Sequence, residues 1–180
     1  ILYCQAMKRI FLIFFLTLFL FPEEGLAKRS LEDEIQDFTV AERAFQDHFY
    51  EFARQELEAF LEYYPRSERF GQAKLLLART YLELGRPPRA LHHLSELLTS
   101  ETFQDLKDQV LYWYAEFHLA SKDFKTARTF YQRLLEDYPD SYMVPYAAYS
   151  LAWCEEAEGA FERGEPAYSQ FIERFPEHPL

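Results

Sequence analysis

Leu135-Glu136-Asp137-Tyr138-Pro139 is one of three similar segments that decide the fold of this 180-residue chain; the others are Leu61-Glu62-Tyr63-Tyr64-Pro65 and Ile172-Glu173-Arg174-Phe175-Pro176. Each ends in an aromatic residue followed by proline, and the three prolines lie 74 and 37 residues apart. A 37-residue period predicts a fourth member near residue 102, where Thr102 follows an otherwise similar segment. The sequence therefore predicts four units of 37 residues.

Small residues recur at the same interval and predict two helices in each unit. One set lies in the second helix, here called helix B: Ala53, Ala90, Ala127 and Gly164. Large apolar residues follow each member by four, seven and eight positions, which is one face of an α-helix that the proline then ends. A second set lies twelve residues earlier, in a more aromatic helix A: Ala41, Ala78, Ala115 and Ala152. Short side chains on both helices would let them approach closely.

The repeat therefore predicts an all-α solenoid of antiparallel helix pairs, with units at about 34–70, 71–107, 108–144 and 145–180. The composition agrees, because the chain has only five glycines and is rich in residues that lose little freedom in a helix. A solenoid needs a polar terminal helix to cover its last apolar face, whereas the last helix here carries Tyr168, Phe171 and Ile172. We therefore expect the array to be truncated at its C-terminus.

The second unit resembles the tetratricopeptide repeat in its small and large positions: Ala78, Tyr81, Gly85, Ala90, Leu94 and Leu97. The third unit resembles it too, and the resemblance covers essentially all of residues 34–180. It implies a right-handed superhelical array whose A helices line a concave, protein-binding side. The 37-residue spacing and the aromatic-proline pair that ends each unit resemble those of two bacterial envelope families. These are the outer-membrane β-barrel assembly lipoprotein (BamD-like) and the periplasmic Tol-Pal-associated division coordinator.

Residues 7–27 have the pattern of a secretory signal peptide. Lys8 and Arg9 precede an apolar run over residues 10–21, and the small residues Gly25 and Ala27 suit cleavage after Ala27. The run is shorter than the roughly 20 residues of a spanning helix. We predict a periplasmic protein whose repeat domain covers residues 28–180; the alternative is an uncleaved segment that anchors the chain in the inner membrane. We interpret residues 1–6 as untranslated upstream sequence.

Charge and cysteine content restrict the partners. The leader's four charged residues cancel, so the mature chain keeps the net charge of −11, which disfavours nucleic acid and anionic membranes. Only Cys154 remains after cleavage, so an internal disulfide is impossible. We expect no integral membrane span after cleavage, and an association with outer-membrane or division complexes.

No sequence motif supports catalysis or a cofactor. Phosphate-binding, zinc-protease and hydrolase motifs are missing from the sequence. His92 and His93 point about 100° apart on a helix, and no further ligand stands at zinc spacing. The many carboxylates suit solvated helix faces, with partners such as Arg54 and Glu58. Cys154 is expected to be a small buried residue. We therefore predict a protein that is not an enzyme and takes no cofactor or metal.

Aromatic and charged residues at equivalent positions of the A helices predict a groove for an extended segment or helix of another protein. The candidate groove residues are Arg79, Tyr112, Trp113, Glu116, Tyr146, Tyr149 and Trp153. About half of the aromatic residues are expected to be core. The function predicted is a periplasmic interaction scaffold or adaptor in outer-membrane or envelope assembly. The alternative is the non-catalytic helical part of a larger envelope enzyme, such as one that cleaves peptidoglycan.

Overall fold

The computed structural model describes residues 30–159 and 161–179, and these contain eight α-helices and no strand. The helices are α1 (Leu31–Gln46), α2 (Tyr50–Tyr63), α3 (Phe70–Glu83), α4 (Pro87–Thr99), α5 (Lys107–Ala120), α6 (Phe124–Asp137), α7 (Val144–Ala157) and α8 (Phe161–Arg174). A short 3₁₀ turn, Gln104–Leu106, precedes α5. The predicted upstream residues and the signal peptide lie outside the described residues.

The chain divides into two compact units, residues 1–35 and 36–180. The described part of the first unit is the start of α1, where a reciprocal cap forms. The Asp33 backbone N–H donates to Ser30 Oγ (3.1 Å), and the Ser30 backbone N–H donates to the Asp33 carboxylate (2.7 Å). Such a cap satisfies helix N–H groups that have no partner within the helix.

Residues 36–180 contain the repeat. α3, α5 and α7 begin at Phe70, Lys107 and Val144, and α4, α6 and α8 begin 17 residues after each of them. Consecutive helices from α2 to α8 pack against one another, and α3 also contacts α5. Phe38 of α1 packs on Phe60 of α2, with ring centroids 5.5 Å apart. The predicted all-α array of helix pairs at 37-residue spacing is confirmed.

The core follows the two sets of small residues. All seven alanines of these sets are fully buried, and Gly164 is buried as well. Their short side chains let the A and B helices pack closely, and large side chains fill the space beside them. Leu57, Leu94 and Tyr131, each four residues after a small residue of helix B, have no exposed surface.

The turn from helix A to helix B has one left-handed residue in every unit. These residues recur every 37 positions: His48 (φ 64°), Gly85 (φ 65°), Lys122 (φ 61°) and Gly159 (φ 78°). Glycine adopts this conformation without strain, whereas side chains with a Cβ disfavour it. The backbone of the turn is therefore more regular than its sequence.

Candidate functional site

Side chains from four A helices contact one another in a continuous row. The guanidinium carbon of Arg79 (α3) lies 4.7 Å from the ring centroid of Phe45 (α1) and 4.4 Å from that of Trp113 (α5). The Trp113 ring lies 5.3 Å from the Tyr112 ring, which lies 6.3 Å from the Tyr146 ring of α7. We call these five residues the aromatic row. It joins residues that are far apart in the sequence.

Close packing of the A helices explains how the row forms. Ala78 and Ala115 are fully buried on α3 and α5, and these two A helices contact each other. Arg79 directly follows Ala78, so its side chain starts beside this close approach and reaches rings on both neighbouring A helices. A planar guanidinium stacks on aromatic faces in this way, which an ammonium group does not do.

Arg79 is half-buried and electrostatically unsatisfied. Its Nε is buried, with no hydrogen-bond partner in the described part of the chain, where Arg79 also makes no ion pair. Burial lowers the pKa of the guanidinium below its ordinary value, and Tyr142, Glu83 and Tyr112 only partly oppose that effect. A guanidinium remains charged at this lower pKa, so the row contains a cation that forms no ion pair with any described residue.

Two hollows lie beside the aromatic row. The first, of about 330 Å³, lies between α1, the start of α2 and α3, and its lining includes Phe45, Arg79 and Glu83. The second, of about 260 Å³, lies between α3 and α5, and its lining includes Glu83, Trp113 and Glu116. Glu83 borders both hollows. Together they place open space beside three A helices.

Glu116 lines the second hollow beside the row, and its carboxylate already accepts hydrogen bonds. It accepts hydrogen bonds from Tyr131 Oη of α6 (2.6 Å) and Ser150 Oγ of α7 (3.0 Å). Burial, and then the Glu116 carboxylate, raise the pKa of Tyr131 and of Tyr112. Glu116 therefore connects α5, α6 and α7 and holds the Tyr112 region in place.

The predicted groove residues separate into two groups. Arg79, Tyr112, Trp113 and Tyr146 belong to the row. Tyr149 contacts Tyr168 and Phe171 of α8, both with ring centroids 5.7 Å away, so it lies at the interface of the last helix pair. Trp153 is 42 % exposed and meets Phe124 of α6 edge-on at 6.0 Å.

The sequence analysis missed Tyr142 as a groove residue. This side chain is 61 % exposed in the turn before α7. Burial and then Asp108 raise the pKa of Tyr142, while Arg79 opposes the rise. The helical periodicity could not identify it because it precedes the helix. An aromatic residue in a polar turn was the only available signal.

The other residues that the sequence singled out for their chemistry are not members of the aromatic row. Cys154 is fully buried, and burial raises the pKa of its thiol to about 12, which confirms the expected small core residue. His92 and His93 both face Glu96, at 3.5 and 3.9 Å, and the predicted pair of Arg54 with Glu58 forms. Within residues 30–159 and 161–179, no cluster of histidine, cysteine and carboxylate side chains could hold a metal ion.

Comparison with known proteins identifies the repeat. A tetratricopeptide repeat model matches residues 75–142, and a second tetratricopeptide repeat model matches residues 146–178. The chain contains tetratricopeptide repeats. No curated protein matches the sequence. Repeats of this fold generally serve as non-catalytic scaffolds that bind other proteins on extended surfaces.

Solved structures share the fold at low sequence identity. BtubC (BKLC) from P. vanneervenii aligns with a TM-score of 0.70 at 18% identity, covering 87% of this chain and 70% of its own. A kinesin light chain-like repeat protein from Podosopora anserina gives 0.66 at 15%, covering 80% and 78%. MamA from Desulfovibrio magneticus RS-1 gives 0.63 at 16%, covering 81% and 77%. Such identities establish the fold alone. Among the described helices, none combines the length and apolar character needed to cross a membrane.

Proposed function

We propose that this tetratricopeptide repeat chain is a protein-interaction scaffold of the bacterial periplasm that serves outer-membrane or cell-envelope assembly. The aromatic row and its two hollows are the observation that carries the proposal. Tyrosine, tryptophan and arginine are the residue types that most often dominate binding energy at interfaces. Here they lie together on A helices beside open space.

The partner in this proposal is an extended segment or a helix of another protein. Tyr146 is 39 % exposed and Tyr142 is 61 % exposed at one end of the row, while the two hollows lie towards the other end. A surface that crosses several helices suits a segment laid over it, because such a segment can place successive side chains in successive hollows.

The periplasmic location rests on the sequence of residues 7–27. Their basic start, apolar run and small residues before the cleavage position are typical of exported proteins. The net charge of −11 disfavours binding to nucleic acid, which is itself negatively charged, and so favours proteins as partners.

Site-specific photo-crosslinking tests the interaction. A photoreactive phenylalanine analogue replaces Tyr146 in the full chain expressed in a Gram-negative host, and after irradiation the crosslinked proteins are identified by mass spectrometry. We expect a discrete envelope protein to be trapped at position 146, because this ring lies at the end of the aromatic row.

Phe52 is the matched control position for this experiment. It is 47 % exposed on α2, a B helix, so it resembles Tyr146 in exposure but not in location. Equal crosslinking at both positions, or none at position 146, would contradict a binding role for the row.

Export is tested separately with alkaline phosphatase fused after residue 180, since this enzyme becomes active only outside the cytoplasm. We expect activity with the intact chain and none when residues 7–27 are deleted. Activity in the deleted form, or its absence from the intact form, would contradict the periplasmic location.

A further inference from the structure

We propose that Arg79 is the anion anchor of the groove and that it binds one aspartate or glutamate side chain of an extended partner segment. The proposal rests on the proposed function, since it names the chemistry of the partner for the same surface. The evidence is the position of the guanidinium, its missing counterion and the charges around it.

The surroundings of the guanidinium determine how a ligand can approach. The guanidinium carbon lies over the rings of Phe45 and Trp113, 4.7 and 4.4 Å from their centroids. Its Nε is buried, so a ligand can reach the guanidinium only through its terminal nitrogens. All five N–H donors of an arginine point outward in a fixed planar fork. A carboxylate matches this fork with two parallel hydrogen bonds.

The missing counterion gives the site its preference for an anion. Arg79 Nε is buried without a hydrogen-bond partner among the described residues. Removing a donor and its charge from water is unfavourable unless a partner replaces the lost hydration. A carboxylate bound at the terminal nitrogens would supply the opposite charge beside this buried group.

The neighbouring carboxylates do not supply that partner. Glu42 and Glu83 line the first hollow together with Arg79, yet neither forms an ion pair with it in the described part of the structure. Tyr50 lines the same hollow as Glu83, and burial first, and then Glu83, raise the pKa of Tyr50. These two carboxylates and Glu116 would repel an acidic run. We therefore infer one carboxylate in an otherwise neutral or basic segment.

Exposed aromatic rings in this region indicate which residue the partner segment should carry next to its acidic residue. Tyr146 belongs to the row and Tyr142 lies in the turn before its helix, and both have much of their surface exposed. An apolar or aromatic residue next to the acidic one would cover these rings and exclude water from the ion pair, which strengthens it. The segment should thus combine one acid with an apolar neighbour.

A random 12-residue peptide library displayed on phage, selected on the purified full chain, provides the probe. The enriched peptide is then synthesised with its acid unchanged, with that acid replaced by its amide (Glu→Gln or Asp→Asn), and with an amidated C-terminus. Titration measures the binding of each form to the wild type and to the variants Arg79→Gln, Arg79→Lys, Trp113→Ala and Arg133→Gln.

We expect the acid-to-amide change to weaken binding to the wild type by at least about tenfold, the factor that corresponds to about 1.4 kcal/mol. The same change should have little effect on binding to Arg79→Gln. Arg79→Lys should lose most of the affinity because lysine lacks the planar fork. Arg133→Gln, an exposed arginine paired with Asp137, should bind normally.

Each other outcome has a defined meaning. Peptides that need Trp113 but tolerate both the acid-to-amide change and Arg79→Gln would overturn the anchor and leave the groove intact. Loss of binding only on C-terminal amidation would show that a terminal carboxylate, not a side chain, is bound. No enriched peptide, or peptides insensitive to Trp113→Ala, would contradict the groove and the anchor together.

Nuclear magnetic resonance gives a direct readout that does not depend on a variant folding normally. The terminal Nη–H signal of Arg79 should move downfield when the acidic peptide binds, because a carboxylate then accepts hydrogen bonds from the accessible end of the guanidinium. The amide form of the peptide should leave the signal in place. A signal that stays in place with the acidic peptide would contradict the anchor.

Discussion

The B helices of the first and third units end alike, whereas the B helix of the second unit ends differently. Tyr64 and Tyr138, the residues after α2 and α6, have nearly equal backbone angles (φ −123°, ψ 55° and φ −134°, ψ 58°), and a proline follows each. Ser100, the residue after α4, is extended instead (φ −71°, ψ 136°). The chain therefore leaves α4 in another direction, at the unit where the sequence has Thr102 instead of proline.

A buried lysine accompanies the different exit. Lys107 opens α5, at the position that Phe70 and Val144 occupy in α3 and α7. Its ammonium donates hydrogen bonds to the backbone oxygens of Leu97 (3.1 Å), Leu98 (2.5 Å) and Ser100 (2.8 Å). The last carbonyls of a helix have no partner within it and carry the negative end of its dipole. The comparison teaches that one repeat position can hold an apolar residue in two units, buried at Val144 and half-buried at Phe70, and a helix cap in another.

The largest expected effect comes from Lys107→Met. The variant leaves the carbonyl groups at the end of α4 buried without their charged donor, so we expect a loss of about 2–3 kcal/mol in the free energy of unfolding. Urea denaturation measures it. Lys125→Met on exposed α6 surface is the control and should change little; equal losses in both variants would show that Lys107 is not a cap.

Gly71→Ala tests the packing of the segment that follows α4, the B helix of the second repeat unit. A Cβ on Gly71 would lie 2.6 Å from Cδ1 of Phe103 and 2.9 Å from Cδ1 of Leu106, both in the segment between α4 and α5. We expect a loss of about 1–2 kcal/mol in unfolding free energy, because overpacking outweighs the better helix propensity of alanine. Unchanged or greater stability in a thermal melt would contradict this close packing.

Tyr64→Phe tests the end of α2, the B helix of the first repeat unit. The Tyr64 hydroxyl donates a 2.8 Å hydrogen bond to the Asp37 carboxylate of α1, so its removal should cost about 1 kcal/mol of unfolding free energy. Tyr138→Phe is the matched control, since no hydrogen bond of its hydroxyl occurs within the described residues. If both variants lost equal stability in urea denaturation, the two exits would be stabilised in the same way.

Gly164→Ala should have the smallest effect, with the opposite sign. The added Cβ would stand 3.5 Å from the nearest atoms of Glu156, an ordinary contact, and alanine is the residue at this position in the other three units. We expect a gain of about 0.5–1 kcal/mol from helix propensity, seen as a higher melting temperature. A loss would show that this unit tolerates less volume than the others.

The 37-residue period predicted the helices well because burial of one helix face imposes a local periodicity that the sequence must contain. Glycine marks the left-handed position of the A-to-B turn at Gly85 and Gly159. At His48 and Lys122 the same conformation has no glycine to mark it. Packing of the flanking helices overrides the local preference there.

The aromatic row was predictable in outline only. Helix A positions singled out Arg79, Tyr112, Trp113 and Tyr146, but the same pattern also selected Tyr149, which the structure places against α8. Periodicity tells which face of a helix a residue occupies and not which neighbouring helix it meets. Tyr142 had no helical period at all, since it lies in a turn.

The sequence by itself determined the repeat, the helix pairs and the small residues that bring them together, since these follow from burial along one helix at a time. Only the tertiary structure decided that the Arg79 guanidinium contacts the rings of both Phe45 and Trp113, and that Lys107 caps α4. Both arrangements depend on distances between side chains of different helices. Such distances follow from how the helices pack, and the spacing of residues along the chain does not contain them.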